Sequence, residues 1–175
     1  LSAPKQGLGK TIKNDKGFKY NVGLGKVSGN WQFRLQRNAE SDQYDPNDLG
    51  FNRSPNGINN FGQIRYSVFN PVWILNNWST RLNIEHNQLY KHPIDGERKF
   101  NDVSVRANIE ATFKNFWEIG GFAGLNSKQD NYFAAQDFDN MPVFSRPKSF
   151  FMGAWIGTDN RKALYVNFEK GIWKM

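Results

Sequence analysis

VSVRANIEATF, residues 103 to 113, alternates apolar and polar side chains from end to end. The odd positions, from Val103 to Phe113, are all apolar, and the even positions carry Ser, Arg, Asn, Glu and Thr. Successive side chains of an extended strand leave the backbone on opposite faces, so this period of two predicts a strand with one apolar and one polar face. The fold depends on which of these faces meets water.

The composition of the 175-residue chain favours short strands and polar loops over helices. The chain is 38% hydrophobic and 15% aromatic, contains 16 Gly, and has a mean hydropathy of -0.71; aromatic residues are enriched in strands. It has no Cys, which excludes disulfides and thiolate metal sites. No apolar stretch reaches 18 residues, so no transmembrane helix is predicted. The net charge of +7 comes from basic residues scattered among acidic ones, so nucleic acid is not an expected partner.

The same alternation recurs along the chain and predicts eight strands. They fall at residues 18–24, 31–36, about 60–69, 78–85, 103–113, 117–123, about 150–158, and a segment that begins at Ala163. The connections alternate between short turns and long loops, so in an up-and-down meander all short turns lie at one end. Bacterial outer-membrane barrels show this asymmetry. We therefore predict an all-β, antiparallel, up-and-down transmembrane β-barrel region over residues 1–175, which serves as a passage, a membrane anchor or a component of an envelope assembly.

Tryptophans favour lipid as the neighbour of the apolar face. Indole prefers the headgroup level of a membrane, so tryptophans near the short turns predict an interfacial girdle; they are Trp31, Trp73, Trp78, Trp117 and Trp155. Ten steps from Val103 to Phe113 span about 33 Å, or roughly 23 Å of depth at a ~45° tilt, close to the ~25 Å apolar band of such barrels. The alternative is a soluble barrel, in which the same apolar residues would surround an apolar ligand; they include Phe33, Leu82, Ile84, Val105 and Ile109.

The polar face contains charged side chains in the middle of strands. In a membrane barrel these residues would line the lumen and would set its polarity or close it through ion pairs; they are Arg34, Arg65, Arg81, Glu85, Arg106, Glu110 and Glu118. If the long loops are extracellular, both ends of the chain are extracellular too. A complete single-chain barrel normally begins and ends in the periplasm, so we expect a segment of a larger barrel or a partner chain that completes one.

The stretch SGNWQFRLQRNAESDQYDPNDLGF, residues 28–51, followed by GQIRYSVFNP, residues 62–71, resembles the C-terminal barrel of a family of Gram-negative outer-membrane proteins of unknown function. The most specific part is the turn at Ser28–Trp31 together with the loop at Asp45–Phe51. The resemblance covers residues 18–90 well and the rest more loosely. Members typically carry an N-terminal family 9 carbohydrate-binding β-sandwich, which has no counterpart in these 175 residues. The resemblance implies barrel architecture and the cell outer membrane as location, and it carries no established reaction.

The loop with Tyr44, Asp45, Asn47 and Asp48 is expected to fold over the barrel mouth. Together with Asp42 it contains hard oxygen donors, which Ca²⁺ prefers. Its spacing is not that of an EF-hand, and Asp-Pro-Asn-Asp is also ordinary turn chemistry, so a structural loop is favoured and no metal is predicted. The acidic loop at residues 130–140 is interpreted in the same way.

No local motif predicts an enzyme. His86 and His92 are the two histidines, and neither Gly-x-Ser-x-Gly nor His-Glu-x-x-His occurs. Glu85 and Glu110 could act as an acid-base pair, but arginines lie between them and ion pairing is the better interpretation. An envelope enzyme acting at the loop end is the third and weakest hypothesis. We therefore expect no cofactor, and outer-membrane lipid and other envelope proteins as partners.

Overall fold

The computed structural model of the chain describes residues 16–44, 56–92, 95–132 and 143–175. These residues form ten strands: β1 (Lys19–Lys26), β2 (Trp31–Glu40), β3 (Gly57–Val68), β4 (Leu75–Leu89), β5 (Lys99–Phe113), β6 (Glu118–Asn126), β7 (Gln129–Asn131), β8 (Phe144–Arg146), β9 (Ser149–Gly157) and β10 (Asn167–Lys174). None of the described residues belongs to a helix long and apolar enough to span a membrane.

Eight of the strands form one antiparallel sheet in the order β1-β2-β3-β4-β5-β6-β9-β10. Apart from β7 and β8, neighbours in the sheet are neighbours in sequence, so the predicted eight-stranded antiparallel meander is confirmed. The sheet is not closed, because β1 and β10 each pair on one side only. β7 and β8 form a separate two-stranded sheet inside the segment that was predicted to be one long loop.

The connections separate by length as predicted, except for the last one. Those at residues 27–30, 69–74, 114–117 and 158–166 join strand ends at one end of the sheet, which we call the turn end, and the connection at 158–166 is nine residues long instead of a tight turn. The segments between β2 and β3, between β4 and β5, and between β6 and β9 have nine or more residues and join strand ends at the other end, which we call the loop end. This separation is required because each strand of an antiparallel meander reverses the direction of the one before it.

Strand boundaries differ from the prediction at both ends of the sheet. β4 and β5 are 15 residues each and continue into the polar residues of the loop end. Conversely, the last strand does not begin at Ala163 but at Asn167. The residues before Asn167 form a wide turn, in which the Thr158 amide donates to the Val166 carbonyl at 2.9 Å and the Val166 amide donates to Thr158 Oγ1 at 2.9 Å.

The register divides the sheet into two chemically distinct faces. Directly paired residues share a face, so the face of Ile109 also carries Thr80, Gly121 and Ala154, and we call it the apolar face. The other, the polar face, contains Asn108.

Several residues of the two faces show the reverse of the exposure that is usual in a water-soluble protein. On the apolar face Ile109 is 55% and Leu125 57% exposed, whereas on the polar face Ser67 is 2% and Ser79 7% exposed. Apolar side chains normally lie inside and serines outside. Away from the loop end, where Ala39 and Ile58 are buried, the apolar face therefore leaves large apolar side chains exposed in the described sheet.

A small core lies at the loop end. Ala39, Ile58 and Leu89 are buried there. Asn56, which precedes β3, is tied to Lys91, which follows β4, because the Asn56 amide nitrogen donates to the Lys91 carbonyl and the Asn56 amide oxygen accepts from the Lys91 amide, both at 2.8 Å. Its φ of 75° lies in the left-handed region, which Asn tolerates better than most residues.

Candidate functional site

The polar face holds all the side chains that the sequence predicts to line a lumen. The register places on this face Arg34 of β2, Arg65 of β3, Arg81 and Glu85 of β4, Arg106 and Glu110 of β5, and Glu118 of β6. Their common face follows from the two-residue period, which an uninterrupted antiparallel register carries from strand to strand.

Two arginines converge on one glutamate near the turn end. Arg65 and Arg81 are direct cross-strand neighbours, and like charges in such positions repel. The Glu110 carboxylate offsets this repulsion, since its Oε1 lies 3.8 Å from Arg65 Nη2 and 3.9 Å from Arg81 Nη2. The Ser79 hydroxyl donates to Glu110 at 2.9 Å and accepts from Arg65 at 3.3 Å. The single carboxylate balances one of the two positive charges of this cluster.

A cavity of about 190 Å³ beside this cluster shows that the sheet curves toward the polar face. Arg65 of β3 and Trp155 of β9 both line it, although their strands are four spacings, roughly 19 Å, apart in a flat sheet. Arg65 Nε and Ser67 Oγ are buried without a partner among the described residues. The cavity is large enough to hold water, which can form hydrogen bonds with these two buried polar atoms.

Glu85 and Glu110 do not form the acid-base pair considered from the sequence. Glu85 is opposite Ser104, so along β5 the two carboxylates are six residues, roughly 20 Å, apart. Glu85 accepts a hydrogen bond from Asn59 Nδ2 at 2.6 Å. General acid-base catalysis requires both groups within hydrogen-bond reach of one substrate, and this distance excludes that arrangement.

A ladder of amide side chains crosses five strands at the loop end of the polar face. It consists of Asn21, Asn38, Asn59, Asn87 and Asp102, each directly opposite the next. The hydrogen bonds measure 3.3 Å from Asn38 to Asn59, 2.8 Å from Asn59 to Asn87 and 3.0 Å from Asn87 to Asp102, and Asn21 donates to Asn38. All donors point toward the Asp102 carboxylate. This ladder explains why β4 and β5 remain paired beyond their predicted ends.

Aromatic rings occupy the polar face of β6, β9 and β10, which the sequence analysis did not predict. Trp155, Phe151 and Phe122 lie directly opposite Gly120, Gly124 and Gly153, respectively, and cover them. A Cβ added to Gly120 would lie 2.4 Å from the Trp155 ring, so the indole rests directly on the backbone. The assignment of Trp155 to the girdle of the apolar face is therefore wrong.

The signal for these rings was ambiguous in the sequence. In FFMGAWIG, residues 150–157, apolar side chains occur at both parities, and only the register shows which ring belongs to which face. Phe61 of β3 and Trp173 of β10 also belong to the polar face. The Arg34 guanidinium lies over the Phe61 ring at 6.0 Å, within the range of a cation–π contact.

The other predicted girdle residues lie at the turn end. On the apolar face, ring centroids are 4.7 Å apart between Trp31 and Tyr66 and 5.4 Å apart between Tyr66 and Trp78. Trp73 lies in the 69–74 turn and Trp117 in the 114–117 turn, and both are exposed. All five predicted tryptophans thus lie near this end, but Trp155 is on the polar face.

A second aromatic group lies at the loop end. Phe18 contacts Tyr20 with a centroid distance of 6.1 Å and Tyr90 with one of 5.6 Å. Nearby on the apolar face, the His86 and Phe100 ring centroids are 5.8 Å apart. Aliphatic side chains fill the apolar face between the two aromatic groups.

The acidic loops are only partly described. Asp45, Asn47 and Asp48 of the predicted mouth loop, and Asp137, Asp139 and Asn140, lie outside the described residues. Tyr44 is described, and Lys19 Nζ lies 5.6 Å from its ring centroid. Among the described acids, Asp42 pairs with Lys91 at 3.2 Å.

Asp130 is held by its neighbours in the same way. It accepts a hydrogen bond from the Ser145 hydroxyl and lies 3.0 Å from Lys128 Nζ, and these contacts hold its pKa below the ordinary value. Within the described part of the chain, no three His, Asp or Glu side chains converge as metal ligands do.

An ion pair at the turn end fixes the 158–166 connection. Arg161 Nε and Nη2 donate to the two carboxylate oxygens of Asp159 at 2.8 and 2.9 Å. These hydrogen bonds lower the Asp159 pKa to about 2. The same guanidinium lies over the Phe116 ring with its centre 3.2 Å from the centroid, so it links two neighbouring turns.

Together these features define an all-β protein built on an open antiparallel sheet, with one polar, curved face and one exposed apolar face. A model of the family described as a domain of unknown function (DUF5916) matches residues 4–175. The chain belongs to this family. No curated protein and no solved structure shows significant similarity to this chain.

Proposed function

We propose that this chain forms part of an outer-membrane β-barrel, with its apolar face against lipid and its polar face lining a passage for small polar solutes. The observation that carries the proposal is the inverted exposure of the two faces. Contiguous exposed apolar surface larger than a few hundred Å² is rare on soluble monomers. Lipid covers such a surface without cost, because hydrocarbon chains are as apolar as the side chains they meet.

The two aromatic groups support a membrane setting. Trp78 in the turn-end group and Tyr90 in the loop-end group are twelve residues apart along the chain, or about 40 Å along a strand and roughly 28 Å of depth at a ~45° tilt. The groups therefore flank a band of about 25 Å, as the aromatic girdles of outer-membrane barrels do.

Two basic side chains on the apolar face also fit a membrane setting. Arg37 lies near the loop end, where its Nε donates to the Tyr20 hydroxyl at 3.1 Å and its Nη1 donates to Asn60 at 3.0 Å. Lys170 is three residues from the start of β10 at the turn end, or roughly 7 Å of depth at a ~45° tilt. Long basic side chains extend over such a depth to the headgroups.

The soluble alternative requires the opposite arrangement. A soluble barrel that binds an apolar ligand would enclose Ile84 and Ile109 and expose the arginines. In the described sheet Arg34 and Arg106 are exposed, but Ile84 and Ile109 are not enclosed, since they are 45% and 55% exposed, and the serines beside Arg65 are buried. We therefore favour the membrane barrel.

The charge of the polar face favours neutral solutes. Between the amide ladder and the turn end, the described strands place on this face four arginines and four glutamates: Arg34, Arg65, Arg81, Arg106, Glu85, Glu110, Glu118 and Glu169. A ring of one sign would select ions of the other sign. Balanced charges with interspersed amides offer hydrogen bonds without such selection.

A membrane barrel also requires closed edges. Unpaired backbone groups in hydrocarbon cost several kcal/mol each, and β1 and β10 each present one such edge. The proposal therefore includes antiparallel partners for both strands, from further strands of the same barrel or from each other.

Membrane fractionation tests the location. The full-length protein, expressed in a Gram-negative host, is expected in the outer-membrane fraction, retained after a carbonate wash and released by detergent. Recovery from the soluble fraction without detergent would contradict the proposal.

Conductance across a planar bilayer then tests the passage: purified protein should produce stepwise currents with little cation or anion preference. An inserted protein without conductance would reduce the proposal to a membrane anchor.

A further inference from the structure

The β6, β9 and β10 part of the polar face differs chemically from the rest. On β2 to β5 this face carries mainly charged and amide side chains, whereas on the last three strands of the sheet it carries glycines and aromatic rings. Phe122 and Phe151 lie 6.3 Å apart, and Phe151 and Trp173 lie 5.9 Å apart. We call Phe122, Phe151 and Trp173 the aromatic platform.

One row of directly paired residues builds the centre of this platform. Arg106, Gly124, Phe151 and Trp173 follow one another across β5, β6, β9 and β10. A Cβ on Gly124 would lie 2.2 Å from the Phe151 ring, so the glycine lets the ring lie flat. The Arg106 guanidinium reaches across Gly124 to within 5.1 Å of the Phe151 centroid.

Covering glycine explains only part of the platform. Phe122 and Phe151 each cover the glycine opposite, a pairing that stabilises sheets. Trp173 faces Phe151 instead of a glycine, and in the described sheet, where β10 is an edge strand, it is 68% exposed. Covering a glycine therefore does not account for the Trp173 ring in the described sheet.

A groove of about 510 Å³ runs over the platform, and among its lining residues are Arg106, Asn108, Asn126, Phe122, Phe151 and Trp173. Its size lies within the range of small-molecule sites. Among the described residues, the Asn108 amide makes no side-chain hydrogen bond and no carboxylate lies within 4.0 Å of Arg106. The groove thus combines exposed rings with free amide and guanidinium donors.

We propose that this groove binds neutral saccharide rings. A pyranose presents C–H groups on its faces, which pack on aromatic rings, and hydroxyls around its edge, which the donors of Arg106 and Asn108 can reach. The charges of the polar face as a whole are balanced, and within the groove the single guanidinium of Arg106 serves as a hydrogen-bond donor to hydroxyls. The inference rests on the proposed function, because it names the class of solute that the passage would take.

Isothermal titration calorimetry of the full-length protein in detergent micelles tests the inference. Maltohexaose and cellohexaose serve as neutral probes and hexagalacturonate as the acidic one. Calorimetry is preferred to fluorescence because the main variant removes a tryptophan. Binding of a neutral probe is expected, and Trp173→Ala should weaken it about tenfold, the loss typical of one stacking partner. Trp173→Phe should restore most of the affinity.

Phe168→Ala is the matched control. Phe168 lies on the same strand, is 62% exposed and points to the apolar face, so its removal should leave saccharide affinity unchanged. Equal losses in Trp173→Ala and Phe168→Ala would overturn the inference, and so would tighter binding of hexagalacturonate. An inserted, conducting protein that binds no neutral probe would overturn the inference alone, whereas a detergent-free soluble protein would overturn the proposed function.

Discussion

Replacing Ile109 by arginine measures which solvent the apolar face meets. Ile109 lies four residues from the turn end of β5, or about 13 Å along the strand and roughly 9 Å of depth at a ~45° tilt. In a ~25 Å apolar band the midplane lies at about 12.5 Å, so Ile109 lies within roughly 4 Å of it.

The expected cost follows from this depth. Arginine costs about 2–4 kcal/mol at the midplane of a membrane barrel and about 0–1 kcal/mol near the interfaces. At the depth of Ile109 we expect Ile109→Arg to lower the free energy of unfolding by roughly 2–3 kcal/mol. In water, a side chain that is 55% exposed would tolerate arginine with little loss.

Asn108→Arg is the control, one residue away on the polar face. Arg81 lies directly opposite Asn108, and a like-charge pair costs up to about 1 kcal/mol. Urea unfolding of the two variants in lipid vesicles, followed by tryptophan fluorescence, gives both free energies. A cost at Asn108 equal to or above that at Ile109 would refute the assignment of the faces.

Three further predictions concern packing, hydrogen bonding and pH. Asn59→Leu breaks the amide ladder at its centre and should cost about 1–3 kcal/mol in urea unfolding, because the neighbouring amides lose partners; an unchanged midpoint would mean that the ladder does not stabilise the sheet. Gly120→Ala should cost about 1–3 kcal/mol, because its Cβ meets the Trp155 ring at 2.4 Å; in a double-mutant cycle Trp155→Ala should remove most of this cost, and additive losses would contradict the contact. Because the Asp159 pKa is depressed to about 2, the stabilisation of the folded turn by the Asp159 carboxylate is present above the unfolded pKa of about 4 and is lost as the pH falls toward 2. Amide hydrogen exchange of the 158–166 turn should accelerate over that window and lose the transition in Asp159→Asn; the same acid transition in the variant would exclude the pair with Arg161 as its cause.

Part of the candidate site could be predicted from alternation alone. Arg65, Arg81 and Glu110 were assigned to one face because parity is a local property of an extended chain. Their convergence was not predictable, because it depends on which residues of β3, β4 and β5 lie opposite one another. The wrong placement of Trp155 has the same cause, since both parities of β9 are apolar and the local signal is ambiguous.

The amide ladder and the aromatic platform show a second limit. Asn, Asp and Gly are turn formers by local preference, so the sequence indicated loops where β4 and β5 continue. Hydrogen bonds between side chains 15 to 28 residues apart override that preference. The platform likewise needs glycines on one strand and rings on the next, and neither signals the other within its own segment.

The sequence by itself determined the strands, their alternating faces and the placement of turns and loops, because these properties depend on neighbours a few residues apart. Only the tertiary structure decided the register, the curvature toward the polar face and the exposure of the apolar one. These depend on contacts between distant strands, where a shift of one residue would move every side chain to the other face.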